Sequence, residues 1–383
     1  MDLPGADGQS FTYSAPVLED RAVRVVFGPG SLGQVASEAR TLGTRIVIIS
    51  GRHAAEAAAV VGARLGDDLA WRIPDVVQHV PIAAVARALE AALDVTAGVL
   101  VSIGGGSATG LAKAIARDAG LPIVAVPTTY AGSEMTPIWG QSNESGKTTG
   151  RDPRVLPRIV VYDPVLTVSM PAELTAASGM NALAHAVESL YAPDATPQSL
   201  GVAEEAIRAL AQGLPGAVRQ PDDLDARTQT LRGSWLAGWD LGGTTMGLHH
   251  KLAHVLGGTY HLPHAAVHSV LLPHVAAFNA PPAPSAFTQA ADALGVDGPG
   301  AVAPALFQLA AQLKAPTSVA DLGLGLDAIG GVARTVAGAP VANPRAFTEE
   351  DVSYLVRQAY FYREPLRSTA PFDNLRAQER ERS

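Results

Sequence analysis

The sequence predicts an α/β N-terminal domain with a Rossmann-like parallel sheet, followed by an all-α C-terminal domain. Three observations predict it. Short apolar runs alternate with helical patterns over the first ~165 residues. Runs such as Ile46-Val47-Ile48-Ile49 carry no polar alternation, so both faces need cover, as in a parallel sheet between helix layers. From about Pro171 strand signals stop, and Ala, Leu and Glu recur with helical periodicity.

In chain order, strands are expected at 23–27, 45–50, 76–77 with their neighbours, 98–102, 123–126 and 158–161. The intervening helices are expected at 31–39, 53–65, 82–93 and 107–119. Ser31, after Pro29-Gly30, is expected to cap the first of these, since its hydroxyl can satisfy a free N–H of the first turn. In the second half, helical periodicity predicts segments near 172–190, 199–212, 224–241, 244–256, 264–279, 300–314 and 348–359. The Pro/Ala-rich stretch 280–285 reads as a linker, and the polar, charged stretch 368–383 as a flexible tail. The expected division is therefore 1–166, a dinucleotide-binding domain, 167–367, a helical substrate domain, and the tail.

Composition narrows the function. A length of 383 residues exceeds one compact core, and 47% hydrophobic with 17% charged residues reads as globular. A net charge of −8 argues against nucleic acid or an anionic membrane as partner. The absence of cysteine excludes disulfides, thiolate zinc sites and a catalytic thiol. The first twenty residues show no basic-then-apolar signal pattern, and apolar runs such as 97–103 are strand-sized. A cytoplasmic protein is the expectation.

Two sets of residues carry chemistry. Gly104-Gly105-Gly106-Ser107 ends one expected strand and opens the next helix. Glycines allow close backbone approach to a phosphate, and the helix N-terminus offers free N–H groups and partial positive charge. Thr109 stands where a third glycine of G-x-G-x-x-G would fall, and the strand is not the first, so this is no ordinary dinucleotide fingerprint. Thr128, Thr129 and Ser133 follow the next strand and add hydroxyls at the same sheet edge.

The second set is histidine-rich. Six of the ten histidines fall within residues 249–268, and His250 and His254 share a helix face at i, i+4, as do Asn181 and His185. Such a group either binds a metal or forms a polar, proton-trading pocket, and Asn181 decides between them. The basic stretch 147–154 could contact substrate carboxylates, but reads first as a solvated hairpin.

Taken in order, Gly-Gly-Gly-Ser, Pro-Thr-Thr-x-Ala-Gly-Ser-Glu, Gly-Met-Asn-Ala-Leu-Ala-His, His-Lys-x-x-His-x-Leu-Gly-Gly and Leu-Pro-His-Ala resemble the iron-containing alcohol dehydrogenase family, and within it the branch of maleylacetate reductases. The resemblance spans residues 24–366. It implies a Rossmann-like domain, an all-helical domain, NAD(P)H bound between them and a homodimer. The family's metal-binding positions map onto Asn181, His185, His250 and His264. An amide replaces the acidic ligand, and amides are poor ligands for transition metals. No tightly bound metal is therefore expected; if one were held, His185, His250 and His264 would hold it.

Removing that carboxylate suits a dianionic substrate. The implied reaction is conjugate reduction of the maleylacetate alkene to 3-oxoadipate, with reductive dechlorination of 2-chloromaleylacetate. His254 or Lys251 would stabilise the enolate and supply the proton, with His250 close by and His185, His264 and Asn181 completing the pocket. The alternative is a metal-dependent alcohol dehydrogenase of the same family. Because the second strand ends Ser50-Gly51-Arg52 with no acid, NADH is the expected coenzyme and NADPH is tolerated.

Overall fold

The computed structural model describes residues 10–14, 22–78, 80–143, 146–361 and 364–365; the expected tail at 368–383 lies outside them. The chain divides into two compact units, Met1–Pro171 with Gln220–Leu231, and Ala172–Arg219 with Arg232–Ser383. The sheet and its helices lie in the first unit, and the histidines of the site lie in the second.

The first unit contains β1 (Ser10–Ser14), β2 (Ala22–Phe27), α1 (Val35–Leu42), β3 (Ile46–Ser50), α2 (Ala55–Leu65), β4 (Leu69–Ile73), α3 (Ile82–Asp94), β5 (Val99–Gly104), α4 (Gly106–Ala119), β6 (Ile123–Pro127), β7 (Ile138–Asn143), β8 (Gly146–Arg151) and β9 (Ile159–Tyr162). Seven strands form one sheet in the order β1-β2-β9-β6-β5-β3-β4, and β7 and β8 form a separate hairpin. Only β1 runs antiparallel to its neighbour within the large sheet. Every residue of β3, β5, β6 and β9 is buried. Apolar residues of α1 and α2 cover one face of the sheet.

The connections leaving β3 and β5 move outward in opposite directions, to β4 and β6. Their carboxyl ends therefore flank a topological switch point, where parallel sheets open a crevice for ligands. Ser50 at the end of β3 lies in register with Ile103 of β5, one residue before the glycine turn.

Two local expectations are corrected here. Ser31 does not cap a helix: it begins a 3-10 turn, Ser31–Gln34, after left-handed Gly30. Asp163, beyond β9, does the capping instead, accepting from Gly30 N–H at 3.0 Å and Leu32 N–H at 2.9 Å. The strand expected at 76–77 is β4, earlier in the chain, where exposed Trp71 and Arg72 disguise an edge strand. The expected hairpin does form, but the basic Arg154 beyond it is held by Asp152 at 2.7 Å.

The second unit contains α5 (Ala172–Ser189), α6 (Pro197–Arg219), the greater part of α7 (Leu224–Gly243), α8 (Leu248–Gly258), α9 (His264–Asn279), α10 (Pro284–Leu294), α11 (Val302–Gln312), α12 (Ile329–Ala337) and α13 (Glu349–Tyr360). The expected linker at 280–285 holds through residue 283, and α10, which was not expected, begins at Pro284. Pro284 stands at its first turn, where a missing N–H costs nothing, so it starts the helix rather than breaking it. Helix α6 continues through Pro215, carried by buried Leu214 and Ala217. Helices α8, α9, α12 and α13 share one apolar core.

Helix α5 is buried continuously from Thr175 to Ser189. It approaches α6 closely because Gly179 has no side chain; a Cβ there would lie 2.1 Å from Leu214 Cδ2. This buried helix carries Asn181 and His185.

Candidate active site

The first unit gathers the expected nucleotide contacts at one sheet edge. Gly104 has φ of +148°, a conformation open to glycine, and Gly105 precedes the first turn of α4. A Cβ on Gly105 would lie 3.0 Å from Thr129 Cγ2, so the glycine turn and the threonine loop touch. Thr128 N–H donates to Gly104 O at 3.1 Å. Thr128, Thr129 and Ser133 are all partly accessible. Arg52 is exposed in the 3-10 turn Arg52–Ala54 directly after β3. Together these groups form a surface of backbone and hydroxyl donors at a helix N-terminus, which suits a diphosphate.

Two buried cations hold the threonine loop. Arg227 Nη1 donates to Tyr130 Oη at 3.2 Å. Lys113 Nζ reaches four oxygens between Ser133 and Ile138. Burial pulls the Lys113 pKa down to about 7, against the opposing pull of Glu134. The four oxygens match the charged form, because a neutral amine has only two hydrogens to donate. The Glu134 carboxyl is raised by burial and accepts from Tyr162 Oη at 2.9 Å.

In the second unit, α5, α8 and α9 bring six imidazoles together. Ring centroids of His185 and His250 are 5.0 Å apart, His250 and His254 6.2 Å, His254 and His264 6.0 Å, and His264 and His268 4.6 Å. His249 Nε2 lies 2.8 Å from His268 Nδ1, and His268 Nε2 lies 3.2 Å from His264 Nε2. Asn181, His185, His249, His250 and His268 are buried, His264 and Lys251 are half-buried, and His254 is exposed. Burial and the neighbouring rings hold His185 and His268 well below the ordinary imidazole range, and burial takes His249 down to about 3. These three rings are neutral at pH 7.

The residue missing from the expected set is Glu188. It sits on α5 one turn beyond His185, so Asn181, His185 and Glu188 follow at i, i+4 and i+7. That spacing was a readable signal. Its Oε1 accepts from His249 N–H at 2.9 Å, and its Oε2 pairs with His250 Nδ1. An ionised carboxylate only accepts, so His250 Nδ1 carries the hydrogen and Nε2 is the nitrogen left for other partners.

Asn181 Oδ1, His185 Nδ1 and His250 Nε2 are buried and meet no hydrogen-bond partner among the described residues. Buried polar atoms of this kind call for an occupant. A resident divalent metal would have to be held by His185, His250 and His264. Among the described residues no group of three or more His, Cys, Asp or Glu side chains is placed to hold one. The Glu188 carboxylate is committed to α8, His264 Nε2 faces His268, and Asn181 contributes no charge.

The first unit thus carries a nucleotide-type switch point, and the second a buried imidazole cluster. Residues 22–164 match the iron-containing alcohol dehydrogenase family, and residues 175–360 match the C-terminal part of the Fe-containing alcohol dehydrogenase family. The chain belongs to the iron-containing alcohol dehydrogenase family. It is 52% identical to maleylacetate reductase 2 of Cupriavidus pinatubonensis over 340 residues, 88% of this chain and 94% of that protein. It is 48% identical to maleylacetate reductase of Sphingobium indicum over 343 residues, 90% of this chain and 97% of that protein. The crystal structure of maleylacetate reductase from Rhizobium sp. strain MTP-10005 superposes with a TM-score of 0.85 at 40% identity, covering 93% of this chain and 99% of that one. Among the described residues no helix is long and apolar enough to cross a membrane.

Proposed function

We propose that the protein is an NAD(P)H-dependent maleylacetate reductase that reduces the carbon–carbon double bond of maleylacetate to 3-oxoadipate in the degradation of aromatic compounds. The observation that carries this reading is Asn181, an uncharged amide at the family's acidic ligand position, beside two imidazole nitrogens that await a partner. Relatives named maleylacetate reductase, 42–52% identical over most of the chain, support it.

NADH binds over Gly104–Ser107 with the hydroxyls of Thr128, Thr129 and Ser133, and NADPH is tolerated because Arg52 stands where an acid would repel the 2′-phosphate. When bound, the coenzyme supplies the hydride. Addition at the alkene carbon β to the ketone leaves an enolate. A cationic or hydrogen-bonding group near its oxygen lowers the barrier, and a proton donor completes the reduction. Lys251 and His254, at i, i+3 on the accessible side of α8, are the first candidates to meet the enolate and supply the proton. His250, held by Glu188 through Nδ1, directs Nε2 away from that carboxylate and is the third candidate proton donor, which requires that Nε2 also carry a proton. No tightly bound metal is required. Family likeness also supports a homodimer, which sedimentation would read as twice the chain mass.

The deciding assay follows NADH oxidation at 340 nm with fresh maleylacetate, with and without a chelator. Activity that survives chelation supports the reading; activity confined to simple alcohols and dependent on metal return supports the alcohol dehydrogenase alternative. Deuteride from labelled NADH should appear on the carbon β to the ketone. Its appearance on the carbonyl carbon would overturn conjugate reduction. With 2-chloromaleylacetate, hydride enters at the carbon bearing chlorine and the enolate expels chloride, so two NADH are consumed per substrate. His254→Ala and Lys251→Ala should each lower kcat more than NADH affinity.

A further inference from the structure

Lys113 lies on α4, seven residues after Gly106, and is wholly buried. A buried ammonium is costly unless its hydrogens are engaged. Here Nζ lies 2.6 Å from Ser133 O, 2.7 Å from Thr136 O, 2.8 Å from Ile138 O and 3.0 Å from Thr136 Oγ1. Three of these oxygens are backbone carbonyls at and beyond the short 3-10 turn Ser133–Met135. A turn end presents carbonyls with spare acceptor capacity, and a cation takes it up. None of the four is a carboxylate, and Glu134 acts on the ammonium only through space. It joins two backbone segments.

Those segments are the two nucleotide loops. Helix α4 presents the glycine turn at its N-terminus, and residues 133–138 continue the loop that carries Thr128, Thr129 and Ser133. At the turn itself they are tied by Thr128 N–H to Gly104 O at 3.1 Å. Lys113 makes a second tie about two helical turns farther along α4. The Gly104 tie and the Arg227–Tyr130 contact fix the first part of the loop, and Lys113 fixes residues 133–138. Thr136 completes the arrangement: its hydroxyl meets Ser133 O at 3.1 Å and accepts from Ile138 N–H at 3.2 Å.

We propose that Lys113 is a positioning residue for dinucleotide binding, a buried ammonium that locks residues 133–138 onto α4 so that the glycine turn and the threonine loop present one pre-formed surface. This rests on the reading that NADH binds these loops. Pre-organisation of this kind raises affinity by removing the ordering cost at binding.

The test is equilibrium NADH binding, read by energy transfer from tryptophan, together with amide exchange across residues 128–138 in the full chain without nucleotide. Lys113→Met should weaken NADH binding at least tenfold and speed exchange in that segment, while kcat at saturating NADH stays within twofold of wild type. Thr136→Val removes one of the four contacts and should weaken binding a few-fold in the same direction. If Lys113→Met does not fold, Thr136→Val carries the test. Wild-type NADH affinity in folded Lys113→Met, or in Thr136→Val where the first variant is insoluble, overturns the proposal. Gly105→Asp separates the two readings. If it abolishes NADH binding while Lys113→Met binds normally, only the positioning role fails. If Gly105→Asp also binds normally, the nucleotide lies elsewhere and both readings fail.

Discussion

Glu188 stands directly behind His250, its Oε2 on the ring Nδ1 and its Oε1 on the backbone N–H of His249. Burial works against the ionised carboxyl, but the His250 and His249 rings and the donated hydrogen bonds overcome it and bring Glu188 below its ordinary range. The carboxylate thus sets both the tautomer of His250 and the start of α8. Gly247, at the helix N-cap, leaves it room, since a Cβ there would lie 3.1 Å from Glu188 Oε1.

Replacing this carboxylate should separate chemistry from cofactor binding. Glu188→Gln keeps the volume and one acceptor but can present an N–H to His250 and release the ring. We expect kcat to fall on the order of a hundredfold, the range of a lost acid–base contribution, with NADH affinity unchanged. Steady-state kinetics alongside NADH titration reads both. Unchanged kcat would remove His250 from the proton-transfer step.

Asn181 governs metal affinity. The wild-type protein is expected to carry substoichiometric metal and to retain activity in chelator. Asn181→Asp restores an anionic donor beside His185, and should raise bound iron or zinc while lowering maleylacetate reduction, since it opposes a dianion. Elemental analysis and paired assays measure the two effects. One tightly bound ion per wild-type chain, with activity lost on its removal and regained on its return, would contradict the expectation.

Arg52 should distinguish the coenzymes. It is exposed just beyond β3, at the switch point flanked by β5. Arg52→Ala should lower kcat/KM with NADPH more than with NADH. An equal loss with both would place the 2′-position away from this residue.

Acid should unfold the second unit through its neutral histidines, and His274 isolates one contribution. Burial lowers its pKa to about 4, and its Nε2 meets no partner among the described residues. The unfolded chain takes up this proton near the ordinary imidazole value, the folded chain only near 4, so between the two values the unfolded state binds more protons and stability falls with falling pH. From pH 7 to pH 5 this residue alone should account for ~2 kcal/mol. Urea unfolding of His274→Leu should show that much less pH dependence across the window. An unchanged slope would mean that His274 already takes up its proton in the folded protein.

Much of the fold was legible because its signals are local. The unbroken apolar runs of β3, β5 and β6 have one use, as strands covered on both faces, and the glycine turn before α4 marks where backbone must approach a ligand. The i, i+4 spacing of Asn181 with His185 and of His250 with His254 placed each pair on one helix face. Errors fell where context overrides local pattern. Edge strand β4 keeps Trp71 half-exposed and so lacks a core strand's profile, and the helix that starts at Pro284, just past the linker, was missed.

The sequence by itself determined which elements exist, which side chains carry chemistry, and that an amide stands at the family's acidic ligand position. Only the tertiary structure decided their states. Glu188 and His250 are 62 residues apart, and Lys113 meets carbonyls 20 to 25 residues away. No local periodicity reports such pairings. Burial then changes what the residues are: imidazoles that read as a proton-trading set become, at His185, His249 and His268, neutral rings. Proton affinity depends on solvent exclusion and on neighbours brought in from distant helices, and packing alone supplies both.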